Sequence, residues 1–171
     1  MESADQKVSN LLELGELLTS QGVTAICDMG NLDPSDNYPI YEAAVQKGFR
    51  QKTGIYYMWD FHADDPAFQI PKERMDRNRQ IFAAGLKLIG DGSISGRTAC
   101  MNRPYRGATD NYGICVCSDH LIETAIDFCK KNHCQLSMHA MGGRTIERMV
   151  DRVCQESCWT PEGVPHVRME H

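Results

Sequence analysis

Along this chain, short apolar runs rich in β-branched and aromatic residues alternate with amphipathic stretches of helical period, and glycine or proline marks most of the changes. That alternation limits the fold more than any other feature. Residues 8–21 read as a helix ended by Gly22, and residues 23–28 as the strand after it. Residues 39–46 are the next helix, closed by Gly48, and residues 53–59 the next strand. Pro71 stands where a first helical residue is favoured, so a helix is predicted from there to Gly85, followed by the strand Leu86-Lys87-Leu88-Ile89. Ser118 caps a helix through residues 121–131, with Asp119 well placed in its first turn. Residues 135–139 are a strand, 145–154 a helix and 167–171 a last strand.

Strand–helix units of this length connect by right-handed crossovers, which makes the sheet mainly parallel. No GxGxxG follows the first strand and no Walker sequence occurs, so nucleotide-binding α/β folds gain no support. The large class left is the (β/α)8 barrel, whose functional groups gather at the C-terminal ends of the strands. A whole barrel takes about 250 residues, whereas this chain has 171. The expected fold is therefore α/β, a partial (β/α)8 TIM barrel with mainly parallel strands. Residues 1–171 are expected to form a single domain that is an internal piece of a larger barrel.

Side chains alternate across a strand, so parity sorts the candidates. Lys87, Ile89 and Asp91 share one face against Leu86 and Leu88. Gln135, Ser137 and His139 share a face against Leu136 and Met138, and in the last strand Val167, Met169 and His171 fall together. With the aliphatic faces toward the helices, Lys87, His139 and His171 point inward from three successive strands. A lone inward lysine can simply snorkel to water, and a lone strand-end histidine usually satisfies nearby backbone groups. Three such residues with matching parity form a constellation. Imidazoles suit zinc or another first-row metal, but an ammonium does not, so Lys87 would have to become an anion to join them. The polar, glycine-rich stretch from Asp91-Gly92-Ser93 onward has the composition of a loop at a working surface.

A net charge of -5 and a pI near 5.6 argue against a non-specific nucleic-acid binder. No run approaches a membrane span and no basic-then-apolar leader opens the chain, so no membrane partner is expected. The eight cysteines include Cys115-x-Cys117 and Cys154-x-x-x-Cys158, neither with the paired CxxC spacing of a structural zinc site. Reduced, mostly buried thiols and a cytoplasmic location are expected. A cysteine-based zinc or redox module would require several thiols to converge. An open five-strand sheet has two unpaired edges, so self-association through them is also expected.

The segments KLIGDGSISGRTA with Pro104-Tyr105, MHAMGGRTI and VRMEH, in that order, resemble the amidohydrolase superfamily. The nearest branch is the amidohydrolase-3 group, which includes the N-substituted formamide deformylase type and AepA-like exoenzyme regulatory proteins. The resemblance covers residues 22–171 and corresponds to barrel strands two to six. It implies a metal-dependent hydrolase of amide, formamide or cyclic ureide C–N bonds acting on a small-molecule substrate. One or two divalent metals are implied, zinc first among them. Lys87 would react with carbon dioxide to give a bridging carbamate, and His139 and His171 would be metal ligands. Asp91, Ser93, Arg97 and Tyr105 would line the substrate loop. The family's first-strand His-x-His and strand-eight aspartate have no counterpart here, and His62-Ala63-Asp64 imitates the former only superficially. Gly143 stands where the family usually has an aspartate. No catalytic base is identified, so this chain alone is expected to be inactive. The alternative is a non-catalytic regulatory or binding protein on the same scaffold.

Overall fold

In the computed structural model, which describes residues 2–171, the alternation appears as helices α1 (Ala4–Ser20), α2 (Tyr38–Gln46), α3 (Asp119–Asn132) and α4 (Gly143–Val153) between strands. The strands are β1 (Ala25–Asp28), β2 (Lys52–Met58), β3 (Ile81–Ile89), β4 (Gln135–His139) and β5 (Val167–Glu170). They form one sheet in the order β1-β2-β3-β4-β5, with β1–β2, β3–β4 and β4–β5 parallel. Strand order that follows chain order, with no reversal, is the singly wound arrangement of a (β/α)8 barrel rather than that of a doubly wound sheet. The fold is a partial barrel of this class.

The chain divides into two compact units, and β3 contributes to both. The first runs up to Met58 and adds Ala67–Ala84. Ser3 opens it by accepting a hydrogen bond from the Gln6 amide at 3.2 Å, which caps α1. Its core holds Val8 of α1, Tyr38, Tyr41 and Ala44 of α2, and Phe49, Ile55 and Ile81. The buried Tyr38 hydroxyl donates to the Ile81 carbonyl at 3.1 Å, so even the polar tip of this core aromatic is satisfied.

The second unit comprises Trp59–Pro66 and Gly85–His171. Leu86 and Leu88 of β3, Leu136 and Met138 of β4, and Ile122, Ala125 and Ile126 of α3 are all buried. Ser118 caps α3 by accepting from the Leu121 amide at 3.2 Å, as its position predicts. Trp59 packs on Phe128 of α3, ring centroids 5.1 Å apart, and its indole N–H donates to Thr124 at 2.9 Å.

One predicted helix is absent. After Pro71 only a short 3-10 turn, Lys72–Met75, forms, and β3 starts at Ile81, well before Gly85. Ile81, Phe82, Ala83 and Ala84 are all buried, so both faces of this stretch are covered and its apolar run is strand-like rather than helical. Gly85, read as a helix stop, instead lies within the strand at a close backbone approach, where a Cβ would fall on the Gln135 carbonyl of β4. Gly85→Ala should therefore force β3 and β4 apart and cost about 3 kcal/mol, read as a lower urea midpoint.

Candidate functional site

The C-terminal half of β3 enters the second unit carrying Lys87, and register then decides which side chains share its face. Lys87 pairs with Ser137, and Ser137 with Arg168; one step on, Ile89 pairs with His139, and His139 with Glu170. Paired residues of a parallel sheet point to the same side. The Lys87 face of β5 is thus made by Arg168 and Glu170, and parity alone, which grouped Val167, Met169 and His171 there, is corrected by the register. The polar-apolar alternation of Val-Arg-Met-Glu is the sequence signal for this face.

His171 reaches the site by another route. It lies past the end of β5 with a φ of 76°, a left-handed conformation that breaks the alternation and costs a non-glycine residue about 1 kcal/mol. Its ring meets that of His139 edge to face, centroids 4.7 Å apart and planes at 73°. His139 Nε2 lies 2.9 Å from the Gly92 carbonyl oxygen, which can only accept. Nε2–H is therefore the donor of that bond. The two histidines predicted from sequence are together.

Lys87 is 6% exposed, and among the described residues its ammonium has no hydrogen-bond or ion-pair partner. Burial pushes its pKa below the ordinary lysine range, Glu170 opposes that shift and Arg168 adds to it. Glu170 itself is held: its carboxylate accepts from the Ser137 hydroxyl at 2.9 Å and pairs with Arg168 Nε at 3.2 Å. Ser137, Arg168 and Glu170 are the polar members of this face that the motif reading left without a role.

Beyond β3, the Asp91 carboxylate is wholly buried. It accepts from the backbone N–H of Cys100 at 2.8 Å, Gly142 at 2.7 Å and Met141 at 3.0 Å, and lies 3.6 Å from His139 Nε2. It ties the start of the loop over residues 92–117 to the turn between β4 and α4. Gly142 is needed at that junction because a Cβ there would strike the Cys100 carbonyl. The loop then closes on itself. Ser93 Oγ accepts from the Gly96 amide at 3.1 Å, and the Tyr105 hydroxyl donates to the Ala99 carbonyl at 2.9 Å. Of the four residues expected to meet substrate, Asp91, Ser93 and Tyr105 thus direct these polar groups at the protein's own backbone. Arg97 is exposed, and its guanidinium has no partner among the described residues.

The expectation of reduced thiols is corrected at one pair. Cys100 and Cys115 form a disulfide across this loop, Cα atoms 5.3 Å apart and 15 residues apart in sequence. Asp91 is the reason they meet: its carboxylate holds the Cys100 amide, and its backbone forms an antiparallel bridge with Cys115. Closing a loop of that size contributes about 3 kcal/mol in the chain-entropy account. Cys117, Cys129 and Cys134 are buried free thiols, while Cys27, Cys154 and Cys158 are exposed. Burial and the nearby Asp60 push the Cys117 thiol up to about 11, which makes it a poor nucleophile. Among the described residues no three or more His, Cys, Asp or Glu side chains gather as a metal-holding group. The same result means that His139 and His171 reach a metal-binding set only with Lys87 or with groups outside these residues.

Two stability measurements follow. Asp91→Ala leaves three backbone donors without their acceptor and should cost about 3–5 kcal/mol, with faster amide exchange at Cys100, Met141 and Gly142. Lys87→Met should stabilise the chain by about 1 kcal/mol near neutral pH. The folded pKa of Lys87 lies below its unfolded value, so between the two the unfolded chain binds more protons and wild-type stability rises with pH. The advantage of the methionine variant should therefore shrink as pH climbs toward the ordinary lysine range, measured by denaturant midpoints across pH.

Comparison with known proteins agrees with this architecture. The chain is 18% identical to a metal-dependent hydrolase of uncharacterised function from Pyrococcus horikoshii OT3, with a TM-score of 0.70 over 90% of this chain and 31% of that one. A similar hydrolase from Pyrococcus furiosus gives 18% identity and a TM-score of 0.67 over 91% of this chain and 32% of that one. YtcJ of Bacillus subtilis (strain 168), a protein named as an amidohydrolase, is 24% identical over 86 residues, which are 50% of this chain and 16% of YtcJ. The chain thus spans about a third or less of each of these proteins. The model of the amidohydrolase family matches residues 5–171, and the chain belongs to that family.

Proposed function

We propose that this chain is the strand-two to strand-six portion, a single domain over residues 1–171, of a metal-dependent hydrolase of non-peptide C–N bonds. Small amides, formamides or cyclic ureides are the substrate class, and the amidohydrolase-3 group, with its formamide deformylase and AepA-like members, is the branch. The observation that carries the reading is the meeting of His139 and His171, ring centroids 4.7 Å apart, at the ends of the strands that follow Lys87, which is buried with no hydrogen-bond or ion-pair partner among the described residues. The small share of each relative that the chain spans supports its being part of a larger barrel.

The donors fit a divalent cation as a partial set. His139 offers Nδ1, since Nε2 is committed to the Gly92 carbonyl, and the ring of His171 stands beside it. Lys87 joins them only after its neutral amine adds to carbon dioxide. The N–C bond forms, one C=O electron pair moves onto oxygen, and a proton leaves the nitrogen, so the product is an anionic carbamate. Zinc suits imidazole and carbamate donors, and it would supply polarisation of the scissile carbonyl and a lowered pKa for water. Arg97 is the loop side chain free to meet an anionic or carbonyl group of substrate, while Asp91, Ser93 and Tyr105 hold the loop that presents it. Without an assigned base the chain by itself is inactive, and its open sheet edges at β1 and β5 favour self-association. Among the described residues no helix is long and apolar enough to cross a membrane, and a net charge of -5 disfavours nucleic acid. A cytoplasmic location stays part of this proposal, although the Cys100–Cys115 disulfide is uncommon there.

A second reading, a binding or regulatory protein on the same scaffold, draws on Gly143. A Cβ at that position would approach Asn102 Nδ2 at 3.0 Å, and Asn102 itself donates to Glu147. The Asn102 amide therefore lies against the position where the family usually has an aspartate. Equilibrium dialysis against zinc and bicarbonate, with metal counted by plasma mass spectrometry, separates the two. Wild-type chain should retain zinc, and Lys87→Ala and His139→Ala should bind it about tenfold more weakly or worse. A wild-type chain that retains none overturns the metal reading and favours the scaffold.

A further inference from the structure

We infer that Glu170 is a positioning residue for His171, acting through a clamp on Ser137 and Arg168; the metal role of that histidine rests on the proposed function, but the clamp itself does not. Three observations carry it. The register places Glu170 beside His139, so its carboxylate lies on the same face as that imidazole. That carboxylate is gripped from two sides, by the fully buried Ser137 of β4 at 2.9 Å and by Arg168, its same-face neighbour on β5, at 3.2 Å. The next residue leaves the strand in a left-handed conformation, φ 76°, and brings its ring against His139.

Alternation alone would send His171 to the opposite face from Glu170. It returns because the chain turns immediately after the clamped residue. A clamp that fixes the last residue of β5 therefore fixes the point and direction from which the turn departs. Arg168 has a second effect, because its guanidinium keeps the Glu170 carboxylate from being the lone charge facing Lys87. The arrangement links all three inward strands: Lys87 of β3 pairs with Ser137 of β4, which bonds Glu170 of β5. A histidine ligand is held here by a carboxylate bound to a neighbouring strand rather than by a bond to its own ring.

The test uses the whole 171-residue chain, isotope-labelled and metal-free, in wild-type, Glu170→Ala, Glu170→Gln and Ser137→Ala forms. Wild type should give a nuclear Overhauser contact between the His139 and His171 rings. Glu170→Ala should lose it, and Ser137→Ala should weaken it. Glu170→Gln keeps an acceptor for the Ser137 hydroxyl and should restore much of it. Zinc affinity, measured in parallel, should fall about 10- to 100-fold in Glu170→Ala and recover in Glu170→Gln. A ring contact that survives in Glu170→Ala, or is missing from wild type, overturns the positioning role. A merely structural role would lower the melting midpoint and leave the ring contact intact, which also overturns it. If wild type has the contact, Glu170→Ala loses it, and neither binds zinc, the clamp stands and the metal reading falls. Should Glu170→Ala fail to fold, the Glu170→Gln and Ser137→Ala pair decides: ring contact in both as strong as in wild type refutes the clamp.

Discussion

The second unit is organised around one buried anion. A carboxylate removed from water costs several kcal/mol unless its lone pairs are used, and Asp91 uses them on three backbone amides from two separate segments. Those bonds set where the loop after β3 crosses the turn after β4. The position of Cys100, and with it the disulfide to Cys115, follows from that crossing, and so does the need for glycine at 142. The carbonyl of the next residue, Gly92, then faces His139 and accepts from its Nε2–H. One interaction that contributes no chemistry of its own thus fixes the loop, the crosslink and the carbonyl that orients a candidate ligand.

The inner face shows a second balance. Among the described residues Lys87 is buried without a hydrogen-bond or ion-pair partner, and burial destabilises the charged amine, while Glu170 and Arg168 on β5 hold opposite charges in contact with each other. A protein selected for stability alone would place an aliphatic residue at 87. The retained cost is the physical argument that this position serves something other than the fold.

The cysteines illustrate how composition misleads when partners are set by topology. Eight cysteines in a chain of this length read as reduced and mostly buried. Three of them are, and burial keeps at least Cys117 protonated and unreactive. The disulfide joins two residues whose sequence spacing carries no motif. Only the antiparallel bridge between Asp91 and Cys115 brings them within reach.

The sequence by itself determined the strand–helix alternation, the parallel sheet, the cap at Ser118, and the presence of Lys87, His139 and His171 near strand ends, because periodicity and capping are local properties. It misread the segment after Pro71 as helix, because a strand buried on both faces has no period to distinguish it from a helix, and Gly85 signals a stop and a close approach alike. Tertiary structure alone decided the register of β5, since one residue of slip exchanges its faces. That register put Arg168 and Glu170 beside Lys87 and left His171 to arrive by a left-handed turn. It was also tertiary structure that made Asp91, a candidate substrate contact in the sequence, a buried anchor, because the amides it binds lie 9, 50 and 51 residues away along the chain.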